Sequence, residues 1–543
     1  MLVQNASEAT VPSRDTNDAE GGASGAAAAS GSAHVAAGGK GLATNKVGTF
    51  AGAILSIASI APAYTTTASM GLIVAAVGLK MPALLIAGFI PMFLAAYAYR
   101  EFSAETPDCG ASFTWSARSL GPYVGWMAGW GSVIAVVIVL ANIAAVGAEF
   151  FYLFVGRLAH SEFLATLGDN KLINIVTTLA FLAAAGWAAS RGISSSERAQ
   201  YVLVGFQLVV LLLFAGIALT KAVTGDAPSG LSFDIDWFNP FTGLTLGAFA
   251  IGLVGSVFMY WGWDTALTLG EECKDPKRTP GRAGLLSILT VLCTYLLLAV
   301  ALMWFAGVGD TGIGLSSPDT TNNVFGALAE PVMGGAGELL LFLAVLVSAI
   351  ASLQATFLPA ARAMLAMGTF KALPERFATV HPTYQVPRFS TAVAAVVAGG
   401  FYTITALLSE HVLLDTIAAL GIMICWYYGI TAFAAVWYFR RQWFSSARDF
   451  VFKLLFPLLG GTMLLVVFVI SVRESLKPEV GSGASIFGIG LVFYLGFGIL
   501  ALGAVLMLVQ RLRDPEFFRG RTLPKAISGD PMPVPEAPHL SSL

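Results

Sequence analysis

Twelve apolar segments, each long enough to cross a bilayer, divide this chain between Val47 and Val509. Only 11% of the 543 residues are charged and 56% are hydrophobic, whereas soluble domains carry about a quarter charged residues. In lipid, backbone polar groups must be satisfied within the segment, so the expected fold class is an all-α polytopic membrane protein with twelve transmembrane helices. The chain divides into a tail over 1–46, five spans over 47–221, five over 222–439, two more over 440–510 and a tail over 511–543. The first tail is rich in Ala, Gly and Ser, and the second is basic and then proline-rich. Neither holds an apolar run, so both are expected to be disordered.

Basic residues set the orientation, because loops rich in Lys and Arg stay in the cytoplasm. With the N-terminus inside, all but six of the thirty basic residues fall on the cytoplasmic side; the exceptions are Lys80, Arg157, Lys171, Lys221, Arg473 and Lys477. Both tails are then cytoplasmic, and the location expected is a plasma membrane. The net charge of -2 gives no support to nucleic-acid binding. Cys109 and Cys273 fall in cytoplasmic loops while Cys293 and Cys425 fall in spans, so no extracellular disulfide framework, metal site or cofactor motif is implied. An enzyme is disfavoured because the spans hold no nucleophile and base in a recognisable pair.

The sixth segment carries the chemistry. Gly252 to Gly270 encloses Phe258-Met259-Tyr260-Trp261-Gly262-Trp263-Asp264, a lone carboxylate among aromatics at membrane depth. Such a group is costly unless it faces protein or a water-filled cavity, so Asp264 is read as functional. Gly252, Gly255 and Gly262 can let the backbone leave the helix. In the first segment Pro62 removes a donor and disfavours helix at Ala61, predicting a break within Ser59-Ile60-Ala61-Pro62-Ala63. Breaks in the first and sixth spans, five spans apart, point to a five-plus-five inverted repeat with a binding site at the midplane.

Helix polarity turns the two breaks into a chemical expectation. The restarted half of span one presents N–H groups from Ala63 through Tyr64 and Thr65 to Thr66, a place for a carboxylate. The first half of span six ends in carbonyls from Val257 to Tyr260, a place for an ammonium. Ser59, Ala61, Ala63, Tyr64, Thr65, Phe258, Met259, Tyr260 and Trp261 are thus the candidate substrate contacts, and an α-amino acid satisfies both ends. Asp264 is either a proton-coupling group or a cap on the restarted helix. Gln207 in span five and the pair Ser348 and Ser352 in span eight are further coupling candidates; the two hydroxyls, spaced i, i+4, either ligate sodium or permit close packing. Arg100 is a candidate partner for Glu271 or Glu272 at a cytoplasmic gate. Glu149 is expected to face water or pair with Arg157, and Glu338 and Asp415 are likewise placed at outer helix ends.

Tyr260-Trp261-Gly262-Trp263-Asp264 followed by Glu271-Glu272-Cys273-Lys274-Asp275-Pro276 resembles the sixth-span signature of the amino acid, polyamine and organocation (APC) superfamily. Pro107 to Gly121 is similar to that superfamily's loop before span three. Ser352-Leu353-Gln354 through Arg362 to Val380-His381-Pro382 is similar to its exit from span eight. The resemblance implies twelve spans, alternating access and secondary active uptake; by position Phe258 matches an aromatic that closes over substrate and Asp264 an acidic position linked to proton sensing. Ser59 to Ala63 is more similar to the putrescine-importer branch, and Gln207 stands where some proton-coupled members place a lysine. The expected function is proton-coupled amino acid import. An amine or polyamine importer, an exchanger and a nutrient sensor of the same fold stay open, with a proton or sodium ion and the lipid bilayer as further partners.

Overall fold

The computed structural model describes residues 40–192, 197–409, 412–533 and 539–540. The first apolar segment is two helices, α1 (Thr49–Ile60) and α2 (Pro62–Val77), and a turn at Gly78–Lys80 leads into α3 (Met81–Glu105). A short α4 (Ser112–Leu120) precedes the long α5 (Pro122–Leu158), followed by α6 (Lys171–Ala189) and α7 (Glu197–Thr224). Then come α8 (Leu246–Met259), the single turn α9 (Thr265–Thr268), α10 (Thr279–Ala306) and α11 (Val324–Thr369). The chain closes with α12 (Arg388–Leu408), α13 (Val412–Tyr438), a helical stretch from Ala447 to Glu474 and another from Leu491 to Arg513. Strand pairing among the described residues is limited to two-residue pieces and one bridge: β1 (Thr379–Val380) runs parallel to β4 (His539–Leu540), β2 (Ser485–Ile486) antiparallel to β3 (Ile489–Gly490), and Val47 bridges Cys273.

Ten segments among the described residues are long and apolar enough to cross a membrane. The first, Thr49–Glu105, holds α1, α2 and α3 together. The broken segment is not among the ten, because its helical pieces are 14 and 4 residues long. Proline opens α2 and α5 at the first helical position, where its missing N–H leaves nothing unpaired. Buried on nearly all sides, α5 forms the centre, packed on α11, α13 and α4. Large apolar side chains such as Val202, Val209, Leu212, Val396 and Leu407 are exposed on the outer helices, the surface a hydrocarbon solvent would cover.

Parts of both tails depart from the expectation of disorder. Residues 40–46 lie against the face where α9 ends, with Lys40 and Leu42 buried and the Lys46 N–H donating to the Glu272 carbonyl at 2.8 Å. Beyond Arg513, Phe517 and Leu523 are buried against Phe113, Trp126 and Phe370, and the Ala526 N–H donates to the Arg118 carbonyl. Neither stretch has an apolar run of its own; a few anchoring side chains and main-chain bonds to a preformed surface hold them. Residues 1–39 lie outside the described residues, as do 534–538 and 541–543.

Candidate functional site at the two helix breaks

At Ala61 the backbone turns left-handed, φ 55° and ψ 66°, between α1 and α2. The Ala61 N–H still donates to Ile57, and its carbonyl accepts from Thr65, so one residue absorbs the whole change of direction. The free donors are therefore fewer than expected. Thr65 is bonded to Ala61, and Thr66 falls where the regular helical bond reaches Pro62, leaving the N–H groups of Ala63 and Tyr64 as the end of α2.

The second break runs from Tyr260 to Asp264 and turns on Gly262, whose φ is 105°. Gly252 and Gly255, expected to loosen the helix, stay inside α8 and serve close approach instead: a Cβ on Gly252 would lie 2.6 Å from Val77. Of the carbonyls expected to be free, that of Phe258 accepts from the Trp261 N–H at 2.9 Å and that of Met259 from the Tyr295 hydroxyl at 3.1 Å. The same Tyr295 hydroxyl is hydrogen-bonded to Thr65 Oγ1, so one group on α10 ties the two breaks together. Tyr295 was not legible as a site residue, since nothing in its local sequence marks it.

The aromatics are held by neighbours. Tyr260 donates to the Leu85 carbonyl at 3.0 Å, and Trp261 Nε1 to the Tyr427 hydroxyl at 2.6 Å. Trp263 stacks on Tyr428 with centroids 5.3 Å apart and meets Tyr99 edge-on at 5.1 Å. Phe258 and Met259 are buried at the end of α8. Asp264 is buried, within electrostatic reach of Tyr99, Tyr427 and Tyr428, and has no cationic partner among the described residues. It stands at the N-cap position of α9, yet its side chain makes no capping bond. That role falls to Ser56 of α1, whose Oγ accepts from the Ala266 N–H at 3.0 Å and donates to the Trp263 carbonyl at 3.1 Å. Ser56 was visible in the sequence but carried no signal for a contact 210 residues away.

Beside the first break, Ser59 Oγ lies 3.4 Å from Thr356 Oγ1, and Ser352 Oγ is 3.5 Å from both Thr356 Oγ1 and the Ser59 carbonyl. Three hydroxyls and a carbonyl thus converge where α1 ends. Thr356, four residues beyond Ser352, extends the same spacing and was overlooked. Ser348 and Gln207 are fully buried with side-chain polar atoms unpaired among the described residues; neither contributes a bond to this cluster.

The face bearing the tails is closed by ion pairs, but not with Arg100. Its guanidinium lies 5.5 Å from the Tyr97 ring and 6.0 Å from that of Phe452, because Glu271 and Glu272 are taken. Arg362 Nε pairs with Glu272 at 2.5 Å, both buried, and Lys40 Nζ pairs with Asp108 and Glu271, each at 2.5 Å. Asp108, Cys109 and Glu271 also bring potential ligand atoms within 4.8 Å of one another, with the Lys40 ammonium as their counter-charge. Burial opposes that charge, but Asp108, Cys109 and Glu271 outweigh it and hold Lys40 well above the ordinary lysine value. Burial first, and then the Glu271 carboxylate, push the Cys109 thiol well above its usual range. At the opposite face Glu149 accepts from Asn323 Nδ2 at 2.6 Å rather than pairing with Arg157, which bonds Glu338 at 2.5 Å and Glu330 at 3.3 Å. Asp415 accepts from Ser409, and from Ser482 through both its N–H and its hydroxyl.

Comparison with known proteins bears on these breaks. The chain is 26% identical over 313 residues to the methylthioribose transporter of Bacillus subtilis, a match covering 56% of this chain and 63% of that protein, somewhat under two thirds of its length. It is 27% identical over 360 residues to the vacuolar cationic amino acid transporter 4 of Arabidopsis thaliana, covering 62% of this chain and 56% of the relative. It is 23% identical over 343 residues to the branched-chain amino acid permease BcaP of Bacillus subtilis, covering 60% and 66%. Among solved structures, MhsT in complex with L-phenylalanine superposes with a TM-score of 0.55 at 15% identity, over 76% of this chain and 98% of that one, a likeness of fold. The profile of the family described as amino acid permease matches residues 47–502, a stretch that contains both breaks and the Glu272–Arg362 pair but not Lys40. On that match the chain belongs to the amino acid permease family.

Proposed function

We propose that this chain is a secondary active transporter that imports a small α-amino acid across the plasma membrane by alternating access. In this reading twelve crossings form a five-plus-five inverted repeat with both tails in the cytoplasm. The observation that carries it is the pairing of the two breaks through Tyr295, which sets the free donors of Ala63 and Tyr64 beside the carbonyl end of α8. A carboxylate belongs at the first and an ammonium at the second. The surroundings are apolar, with Ile60, Phe258 and Met259 buried nearby, which favours a neutral side chain. Two of the relatives are named for amino acids, which agrees with this reading. With Lys40 and Arg362 paired, the face bearing the tails is closed, which in this reading is the cytoplasmic face.

Coupling has two supports. Asp264, buried without a cation, could bind and release a proton with each cycle, and this is the leading reading. The cluster of Ser59, Ser352 and Thr356 favours sodium instead, since hard oxygen donors suit a small cation. Uptake into proteoliposomes decides between them. Each labelled amino acid is offered under an imposed proton or sodium gradient and challenged by its own decarboxylated amine. Uptake driven by protons and untouched by the amine is expected. Preferred uptake of the amine would mean that only the end of α8 recognises solute, and drive by sodium alone would remove Asp264 from coupling.

A further inference from the structure

A cleft of about 270 Å³ opens on the face away from the tails, between α5, α6, α12 and α13. Asn142, Glu149, Asp169, Lys171, Asn174 and Tyr402 line it. Its rim is exposed at Asp169 and Lys171, and its floor is Asn142, which is 1% exposed. Asn142 Oδ1 accepts from Thr416 at 3.0 Å, but its Nδ2 has no partner among the described residues. A buried amide donor left open is costly, so Nδ2 needs an acceptor, which either the Tyr64 hydroxyl or a group entering the cleft supplies. Beside it lies the Tyr64 hydroxyl, also without a completed bond, so the floor of the cleft adjoins the residue that presents a free N–H at the first break.

The walls supply the opposite chemistry. Glu149 spends one carboxylate oxygen on Asn323, and Asn323 Oδ1 accepts in turn from Thr67 of α2 at 3.0 Å. Tyr402 donates to Asn174 at 2.6 Å, fixing the wall opposite. Glu149, Asp169 and Lys171 form no ion pair among the described residues, which leaves two carboxylates against one ammonium. Carboxyl oxygens facing the cleft suit an ammonium, and its volume lies near the lower limit of small-molecule sites, roughly 300 Å³.

We infer that this cleft is a second binding site, which takes the primary ammonium group of the transported solute at Glu149 and Asp169 and its acceptor end at Asn142 Nδ2, before the solute reaches the break. The inference rests on the transport reading for what the ligand does next, but not for whether it binds. Through Asn323 and Thr67, occupancy at Glu149 is felt by α2, the helix that must move when the break opens or closes.

The test is equilibrium dialysis of the full chain in detergent with three probes: L-leucine, 3-methylbutylamine and 4-methylpentanoate, the last having no amine. In Met259→Trp, where the break is filled, one equivalent of L-leucine should still bind, as should the amine, and 4-methylpentanoate should not. Adding Glu149→Gln should weaken that binding at least about tenfold, the scale expected when a charge loses its partner in a partly desolvated site. Asp169→Asn, on the exposed rim where folding is not at stake, should weaken it severalfold. Loss of all binding in Met259→Trp would overturn the inference, as would residual binding indifferent to both carboxylate substitutions or equal affinity for 4-methylpentanoate. Cleft binding retained in a protein that catalyses no uptake would sink the transport reading and leave the cleft standing.

Discussion

Lys40 Nζ lies 2.5 Å from Asp108 Oδ2 and 2.5 Å from Glu271 Oε1, so a side chain ahead of α1 fastens two segments 68 and 231 residues away. Lys40→Met keeps the aliphatic stem and removes the charge, leaving both carboxylates facing each other. Breaking a buried pair costs about 3–5 kcal/mol, enough to open this face. Modification of Cys109 by a maleimide should then accelerate sharply over wild type, and an unchanged rate would mean that Lys40 does not hold the face shut. A lysine whose folded pKa is raised contributes its stabilisation fully below the ordinary value of 10.5 and loses it only as pH climbs through the raised one. Labelling of the wild type should therefore follow thiol ionisation alone between about pH 6 and 9, with no step from release of this contact.

Gly262→Ala tests the second break. At φ 105° an added Cβ would sit 3.0 Å from the Ile60 nitrogen and the Ser59 carbonyl carbon, both backbone atoms that cannot swing aside. The left-handed conformation alone costs an alanine about 1–2 kcal/mol. Uptake should fall by more than the loss in thermal stability accounts for, because the strain is placed at the crossing of α1 with the break; normal uptake would mean that the break tolerates a different path.

Tyr295→Phe leaves the Met259 carbonyl and Thr65 Oγ1 without their shared partner. An unsatisfied buried group costs about 1–3 kcal/mol, so affinity for the amino acid should drop by roughly five- to hundredfold as the two breaks lose their alignment. Titration of binding in detergent measures it. An unaltered Kd would separate Tyr295 from the site.

Asp264→Asn and the double substitution Ser352→Ala, Thr356→Ala probe coupling from either side. Proton coupling through Asp264 requires that the first abolish stimulation by a proton gradient while exchange of labelled for unlabelled solute continues. The second should leave proton-driven uptake within about twofold, since replacing small hydroxyls whose bonds are all near 3.5 Å removes little. Reversal of these two outcomes would move coupling to the hydroxyl cluster.

The breaks were readable because their causes are local: Pro62 cannot continue a helix from Ala61, and Gly262 supplies a positive φ that its neighbours cannot. The direction of each helix end followed from segment order. What closes the site was not readable. Ser56 reaching Ala266, Tyr295 reaching Thr65, and Lys40 reaching Glu271 are pairings across more than 200 residues, where no spacing rule applies. Arg100 illustrates the converse. It had the right charge, but Lys40 and Arg362 were better placed, and it settled over aromatic rings.

The stretch after Arg513 runs across the underside of the helix ends. Glu105 accepts from the Ser528 hydroxyl at 2.5 Å and the Gly529 N–H at 2.6 Å, the Arg118 guanidinium donates to the Asp530 and Pro531 carbonyls, and the Thr522 hydroxyl donates to the Phe370 carbonyl. Hydropathy would end the protein for laboratory purposes at Arg513, and a truncation there would bare Phe113, Trp126 and Phe370 to water. Purification tags and fluorescent fusions belong beyond Leu540, where they leave this underside and the pairing of β4 with β1 in place.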